Sequence, residues 1–130
     1  MSAKKKILIV DDENTMVSIL KKRIESEAFE VLVARDGQEG LDTARREKPD
    51  LIVVDVMMPK LDGYHMCRLL KFDEKYKDIP VIMLTSRIRQ EDRDIANDVG
   101  ASAYITKPFK GQELMGKIKD LLASEEETLK

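Results

Sequence analysis

Five polar residues follow closely on short apolar runs. Asp11 and Asp12 follow Ile7-Leu8-Ile9-Val10, and Asp55 follows Leu51-Ile52-Val53-Val54. Thr85 follows Val81-Ile82-Met83-Leu84, and Lys107 stands just past Ala103-Tyr104-Ile105. If these runs are parallel strands of one sheet, all five residues lie along one edge of it. Three aspartates against one lysine then leave two negative charges in a small space. Like charges at close range raise one another's pKa values or recruit a cation. Ligands that are all oxygen select Mg²⁺, Mn²⁺ or Ca²⁺ over zinc. Mg²⁺ in particular binds through few carboxylates and takes its remaining oxygens from water and phosphate. An ammonium such as Lys107 suits a phosphoryl oxygen, and the Thr85 hydroxyl offers a contact to another. A carboxylate acts as a covalent nucleophile when such groups surround it. Phosphoryl transfer asks mainly for in-line positioning and charge neutralisation, which a metal and a lysine supply. The expected chemistry is therefore an aspartyl phosphate.

The central piece is Leu51 to Pro59. Its apolar run reads as a strand buried on both faces. An ionised Asp55 inside an apolar sheet is costly unless paired or solvated, which places it at the strand's C-terminal mouth, where open parallel sheets bind ligands. Around it, strand and helix signals alternate along the chain. A first strand ends on Asp11, and a helix follows from about Asn14 with Met16, Ile19, Leu20 and Ile24 at helical spacing. Glu30 to Ala34 is a second strand, Asp36-Gly37 a turn signal, and Gln38 to Glu47 a helix with Leu41 and Ala44 inward. After the central strand, Asp62 is placed to cap a helix over Tyr64 to Phe72. Val81 to Leu84 is a fourth strand and Arg87 to Gln90 a polar loop. Glu91 to Val99 is a helix stopped by Gly100. A short fifth strand over Ala103 to Ile105 precedes a helix over Gly111 to Ala123, with Leu114, Ile118, Leu121 and Leu122 inward. Five such alternations predict an α/β sandwich with a mostly parallel sheet and helices on both faces.

The chain has 130 residues, 42% hydrophobic and 37% charged, enough for one domain with a sizeable core. A net charge of -2 gives no nucleic-acid footprint. Lys4-Lys5-Lys6 reads as a solvated start of the chain. The single cysteine, Cys67, excludes an internal disulfide and a multi-cysteine metal site, and its helical setting makes it a core residue. No stretch is apolar enough to span a membrane and no leader is visible, so the expectation is a cytoplasmic protein without membrane contact. The expected division is one domain over 1–123 with a polar tail over 124–130.

These residues carry a resemblance. The pieces Ile7 to Glu13, Asp55-Val56-Met57-Met58-Pro59 with Asp62-Gly63, Leu84-Thr85-Ser86, and Gly100-Ala101 through Tyr104 to Lys107-Pro108-Phe109 are similar to those of receiver domains of two-component response regulators. The similarity spans about residues 5–123, and the order and spacing of the pieces together are specific where each alone is not. The resemblance implies a flavodoxin-like three-layer sandwich with five parallel strands in the order 2-1-3-4-5, and five helices on both faces. It implies Asp55 as the phosphoacceptor and Mg²⁺ (with Mn²⁺ as a substitute) held by Asp12, Asp55 and the Met57 backbone carbonyl, with Asp11 acting chiefly through a water. Lys107 is implied as the phosphoryl contact, preceding a cis Pro108. Thr85 and Tyr104 are implied as the switch, moving the face made by the fourth helix, fifth strand and fifth helix. Met57 and Arg87 sit where family members tune their rates. The implied partners are a sensor histidine kinase or phosphotransfer protein and, on the switching face, a downstream protein or output domain. The expected state is a monomer or a phosphorylation-dependent dimer, in a signalling protein that does not turn over a small-molecule substrate.

Plainer roles compete for some of these residues. Asp11-Asp12-Glu13 before a helix complements the helix dipole, though that leaves Lys107 unexplained. Tyr104 in a strand is more often a packing aromatic, and Met57 and Met58 are most simply apolar packing. His65, the only histidine, falls on a helix away from the strand ends and reads as packing or surface. Two other classes are weighed against the receiver reading. A haloacid-dehalogenase-like phosphatase usually has a second carboxylate two residues after the nucleophile, where this chain has Met57. A flavodoxin-like cofactor binder needs a phosphate cradle after the first strand, where Asp11-Asp12-Glu13 repel phosphate unless a metal intervenes.

Overall fold

The structure, a computed structural model, describes residues 4–58, 61–86 and 90–129, and within these leaves aside the side chains at 90, 91, 93 and 125–129. Five short β-branched-rich runs form strands: β1 (Lys6–Val10), β2 (Glu30–Ala34), β3 (Leu51–Asp55), β4 (Val81–Thr85) and β5 (Ala103–Thr106). Five helices alternate with them: α1 (Asn14–Glu25), α2 (Gly37–Glu47), α3 (Gly63–Lys71), α4 (Gln90–Asp98) and α5 (Gly111–Leu129). Every strand pairing is parallel, and the order is β2-β1-β3-β4-β5. This is the flavodoxin-like arrangement that the resemblance implied.

Side chains alternate across each strand and so divide the core in two. Leu8, Val10, Ile52, Val54 and Met83 point to one face, where they pack with Leu41 and Ala44 of α2, Met66 and Leu70 of α3, and Ala96 of α4. Ile7, Ile9, Val53, Ile82 and Leu84 point to the other, against Val17, Leu20 and Ile24 of α1 and Leu114, Met115 and Ile118 of α5. β3 and β4 are buried along their whole length and β1 over Ile7 to Val10, which accounts for the unbroken apolar runs. Helix ends follow local chemistry. The Asp36 and Asp62 carboxylates accept from the backbone N–H of Glu39 and His65, capping α2 and α3. Gly100, with φ at +86°, takes the left-handed position after α4 that favours glycine.

Three expectations need adjusting. The inward face of α1 is Val17, Leu20 and Ile24, while Ile19 is 59% exposed. Five apolar residues spread around this helix, and only a stripe at spacing three and four reaches the sheet. The fourth helix takes in Gln90, which the sequence placed in a loop. The last helix continues to Leu129 rather than ending near Ala123, so most of the expected tail is helical.

Ile52 is fully buried at the centre of the sheet. Ile52→Ala should destabilise the protein by about 2–5 kcal/mol and Ile52→Val by about 0.5–1.5 kcal/mol. Ile19→Ala should stay within about 0.5 kcal/mol of the parent. Urea unfolding with an unchanged m-value checks all three, and an Ile19→Ala loss as large as that of Ile52→Ala contradicts the outward placement of Ile19.

Candidate functional site

β1 and β3 lie side by side in the sheet although β2 and two helices separate them in the chain. Val10 is in register with Val54, so Asp11 and Asp55, one residue further along each strand, emerge as neighbours. Asp11 is held to β2 by its N–H, which donates to the Ala34 carbonyl at 3.0 Å. Carboxylate oxygens of Asp11, Asp12 and Asp55 lie within 4.8 Å of one another. Asp11 and Asp55 are buried and Asp12 is exposed. The one nearby ammonium is that of Lys107 among the described residues that contact Asp55, with its Nζ 3.5 Å from Asp55 Oδ1. The Lys107 backbone N–H donates to the Thr85 carbonyl at 2.6 Å, tying the end of β5 to that of β4. Thr85 itself is buried at its strand end.

The electrostatics follow from this crowding. Burial pushes the Asp55 carboxyl above its ordinary value; Lys107 and the Met57 N–H, 3.4 Å from Oδ1, pull the other way. Asp11 is also raised, first by burial and then by Asp55 and Asp12, against the Glu13 N–H that donates to Oδ1 at 2.9 Å and against Lys107. The second oxygen of Asp11 is buried and has no hydrogen-bond partner among the described residues. A buried carboxylate oxygen left bare is costly. Its position beside two further carboxylates fits a hard divalent cation, which prefers oxygen donors.

The expected residues thus separate into groups. Asp11, Asp12, Asp55 and Lys107 come together, and Thr85 closes the neighbouring strand. Tyr104 is half-buried on β5 in register with Met83, and it packs against the α2–α3–α4 side of the core. The plain packing role expected of Met57 does not hold: it is 54% exposed, whereas Met58 packs against the core. Immediately past Asp55 the chain leaves the sheet, and Met57 is carried outward. Arg87 lies outside the described residues. His65 is on the surface, 2.9 Å from Asp62 through Nδ1. Cys67 is buried, with its thiol pushed up to about 11 by burial. The Lys107–Pro108 bond is cis. Sequence reasoning passed over the glycines behind the site. A Cβ at Gly63 would stand 2.8 Å from the Asp55 carbonyl oxygen and 3.0 Å from the Val56 Cα, so α3 starts directly against the Asp55 backbone. The only signal was the Asp62-Gly63 pair, which reads equally as a plain helix start.

Comparison with known proteins agrees with this geometry. The response regulator receiver domain matches residues 7–119. The chain belongs to that family, the phosphoacceptor signalling modules of two-component systems. It is 42% identical over 122 residues to the alkaline phosphatase synthesis transcriptional regulatory protein PhoP of Bacillus subtilis, covering 94% of this chain and 50% of that one. The chain spans about half the length of the curated relatives it matches. A CheY-like response regulator receiver domain protein from Methanospirillum hungatei superposes with a TM-score of 0.90 at 30% identity, covering 96% of this chain and 98% of that one. The receiver domain of a sensor histidine kinase from Pseudomonas aeruginosa, solved with a magnesium ion coordinated in its active-site cleft, superposes with a TM-score of 0.86 at 30% identity, covering 93% and 99%.

The raised carboxyls make a pH prediction for metal-free protein. A group whose folded pKa exceeds its unfolded value near 3.8 stabilises the fold below that value and loses the contribution as pH rises through the folded one. Asp11→Asn should therefore raise Tm at pH 7 in chelator, and the gain should shrink as pH falls towards 3.8. Asp55→Asn should gain less, since it also removes the partner of Lys107. Each kcal/mol regained moves Tm by roughly 3–6 °C in a domain of this size. Thermal melts across pH test the sign, and a Tm lowered by Asp11→Asn at pH 7 contradicts it.

Proposed function

We propose that Asp55 accepts a phosphoryl group from a partner's phosphohistidine, and that the modified carboxylate resets the face formed by α4, β5 and α5. The observation that carries this reading is the buried Asp55 carboxylate at 3.5 Å from the Lys107 ammonium, in a carboxylate cluster at the mouth of the sheet. Asp12, Asp55 and the Met57 backbone carbonyl would hold Mg²⁺, or Mn²⁺ in its place, with Asp11 in an outer position. When bound, the ion supplies the positive charge that the three aspartates lack and that a transferring phosphoryl group needs.

This chain's own residues do the rest. One Asp55 oxygen attacks phosphorus in line with the phosphorus–nitrogen bond of the donor. The oxygen–phosphorus bond forms as that bond breaks, and the departing imidazole nitrogen keeps the electron pair and takes up a proton. Lys107 favours the ionised form of Asp55 before transfer and holds a phosphoryl oxygen afterwards. Phosphate brings about -1.5 to -2 charge and new acceptor oxygens. The Thr85 hydroxyl turns towards one of them, and Tyr104 moves inward behind it. α4 and α5 pack on opposite faces of the sheet beside the edge strand β5, so a shift at β5 alters the surface they share. The phosphate biases a two-state equilibrium through its contacts in one state.

The partners on this reading are a sensor histidine kinase or phosphotransfer protein upstream, and a downstream protein or output domain on the α4–β5–α5 face. The described helices include none long and apolar enough to cross a membrane. A cytoplasmic setting fits a donor of this kind. Met57, exposed two residues after Asp55, sets an apolar group beside the path of attacking water, and Arg87 is the second rate-tuning position. Hydrolysis of the aspartyl phosphate, which returns Asp55 and releases inorganic phosphate, is accordingly slow.

Intact mass after incubation with acetyl phosphate tests the acceptor. One phosphoryl group should be gained by the parent with Mg²⁺ and lost in Asp55→Asn or in chelator, while Lys107→Ala should react at least tenfold more slowly. A parent that neither gains mass nor binds the phosphoryl mimic beryllofluoride would refute the reading. For the tuning position, Met57→Asn should shed phosphate several-fold faster than the parent in the same assay, and an equal or longer lifetime contradicts the role given to Met57.

A further inference from the structure

The first turn of α2 meets the site from behind. Gly37 opens this helix and is buried. A Cβ on it would lie 1.7 Å from the Leu61 carbonyl oxygen and 2.6 Å from the carbonyl carbon. Leu61 belongs to the β3–α3 connection, which carries Met57 and returns to the Asp55 carbonyl at Gly63. Leu61 therefore rests on the bare Cα of Gly37. Three residues on, a Cβ at Gly40 would lie 2.9 Å from Val10 Cγ1 and 3.0 Å from Met66 Sδ. Val10 immediately precedes Asp11. One helical turn thus meets Val10, which leads into Asp11, and Leu61, which leads into the start of α3.

This turn is itself braced. The Asp36 carboxylate accepts from the Glu39 N–H at 2.8 Å, and the Glu39 carboxylate accepts from the Arg35 N–H at 3.1 Å. Arg35 follows Ala34, whose carbonyl receives the Asp11 N–H. Hydrogen bonds and backbone link Asp11 to the α2 cap, and the packing contact of Gly37 with Leu61 carries the link on towards the start of α3.

We propose that the first turn of α2 is a positioning element for the cation site, with Gly37 setting the seat of Leu61 and, through Asp62 and Gly63, the place of the Asp55 backbone relative to Asp11. This rests on the reading of a Mg²⁺ site given above. Gly37 is not kept for its backbone freedom, because its φ lies outside the left-handed region. In a helix, alanine is otherwise favoured over glycine, so the contact alone opposes substitution there. Alanine at 37 has to push the Leu61 carbonyl back by at least about 1.3 Å to restore the 3.0 Å that real contacts respect. The partner is backbone, and it cannot swing aside as a side chain does.

The test is calorimetric titration of Mg²⁺ into the metal-free full chain, with far-UV circular dichroism and thermal melts to establish folding. Gly37→Ala should weaken Mg²⁺ binding about ten- to hundred-fold, the range for groups that orient metal ligands from outside. Gly116→Ala on α5, where a Cβ meets nothing within 4 Å, should leave it unchanged. A folded Gly37→Ala with the parent's affinity overturns the inference and leaves the cation site standing. A parent that fails to bind Mg²⁺ overturns the cation site and the inference with it. If Gly37→Ala does not fold, Gly40→Ala replaces it, since it presses on Val10 and Met66 only through side-chain atoms. That variant must weaken Mg²⁺ binding at least threefold, and parent-like affinity overturns the inference.

Discussion

Like charges held together against their repulsion are the constraint on which this structure turns. Three carboxylates converge within 4.8 Å, two of them buried. Separated aspartates on a flexible chain would never accept this. A sheet whose interior strands bury nearly every residue supplies the apolar contact that holds them there. The order β2-β1-β3-β4-β5 makes the confrontation unavoidable. From β1 the chain turns to one side to build β2, then crosses back to build β3 on the other side. The connections leaving β1 and β3 diverge, and the crevice opens between them. Asp11 and Asp55 stand on its two walls.

Lys107 is the counterweight that arrives last in the chain. It acts across β4, from the end of an edge strand, and it carries one charge against three. The imbalance that remains is useful because it is incomplete. Full neutralisation by protein groups would leave nothing for a cation or a phosphoryl group to relieve. The bare Asp11 oxygen expresses the same point in hydrogen-bond terms. The site stores an unsatisfied demand that chemistry at Asp55 can answer.

Much of this was legible in the sequence because it depends on local rules. Unbroken apolar runs ending on Asp, Thr and Lys marked both the strands and their mouth, since a buried strand tolerates polar groups only at its end. Asp62 and Gly100 announced helix boundaries through capping and left-handed backbone, and both sit where expected. The order of the strands came with the family resemblance and not from spacing, because hydrophobic pattern says nothing about which parallel strands are neighbours. What failed was decided by packing. Ile19 has the residue type of a core position, yet the stripe that faces the sheet is Val17, Leu20 and Ile24, and Ile19 lies outside it. The extension of α5 past Ala123 has no apolar stripe to reveal it, though Glu125, Glu126 and Glu127 are good helix formers. The role of Gly37 was invisible for a different reason: its neighbour Leu61 is 24 residues away in sequence, and nothing in an Asp-Gly pair reports a long-range backbone contact.

The glycines show how the strain of the carboxylate cluster is distributed. At Gly63 and Gly37 the backbone of one element lies directly on the backbone of another, with no side chain between them to adjust. Such contacts pass a displacement on directly in a close-packed interior. The start of α3 is thereby held at two points, at Gly63 and at Leu61. The opposite side of the site is built differently. There the Lys107 N–H donates to the Thr85 carbonyl between two strand ends, and the half-buried Tyr104 lies on the edge strand. On the function proposed above, the wall beside Asp11 and Asp55 is packed backbone on backbone, and a new charge at Asp55 acts towards Thr85 and Lys107 at the ends of β4 and β5.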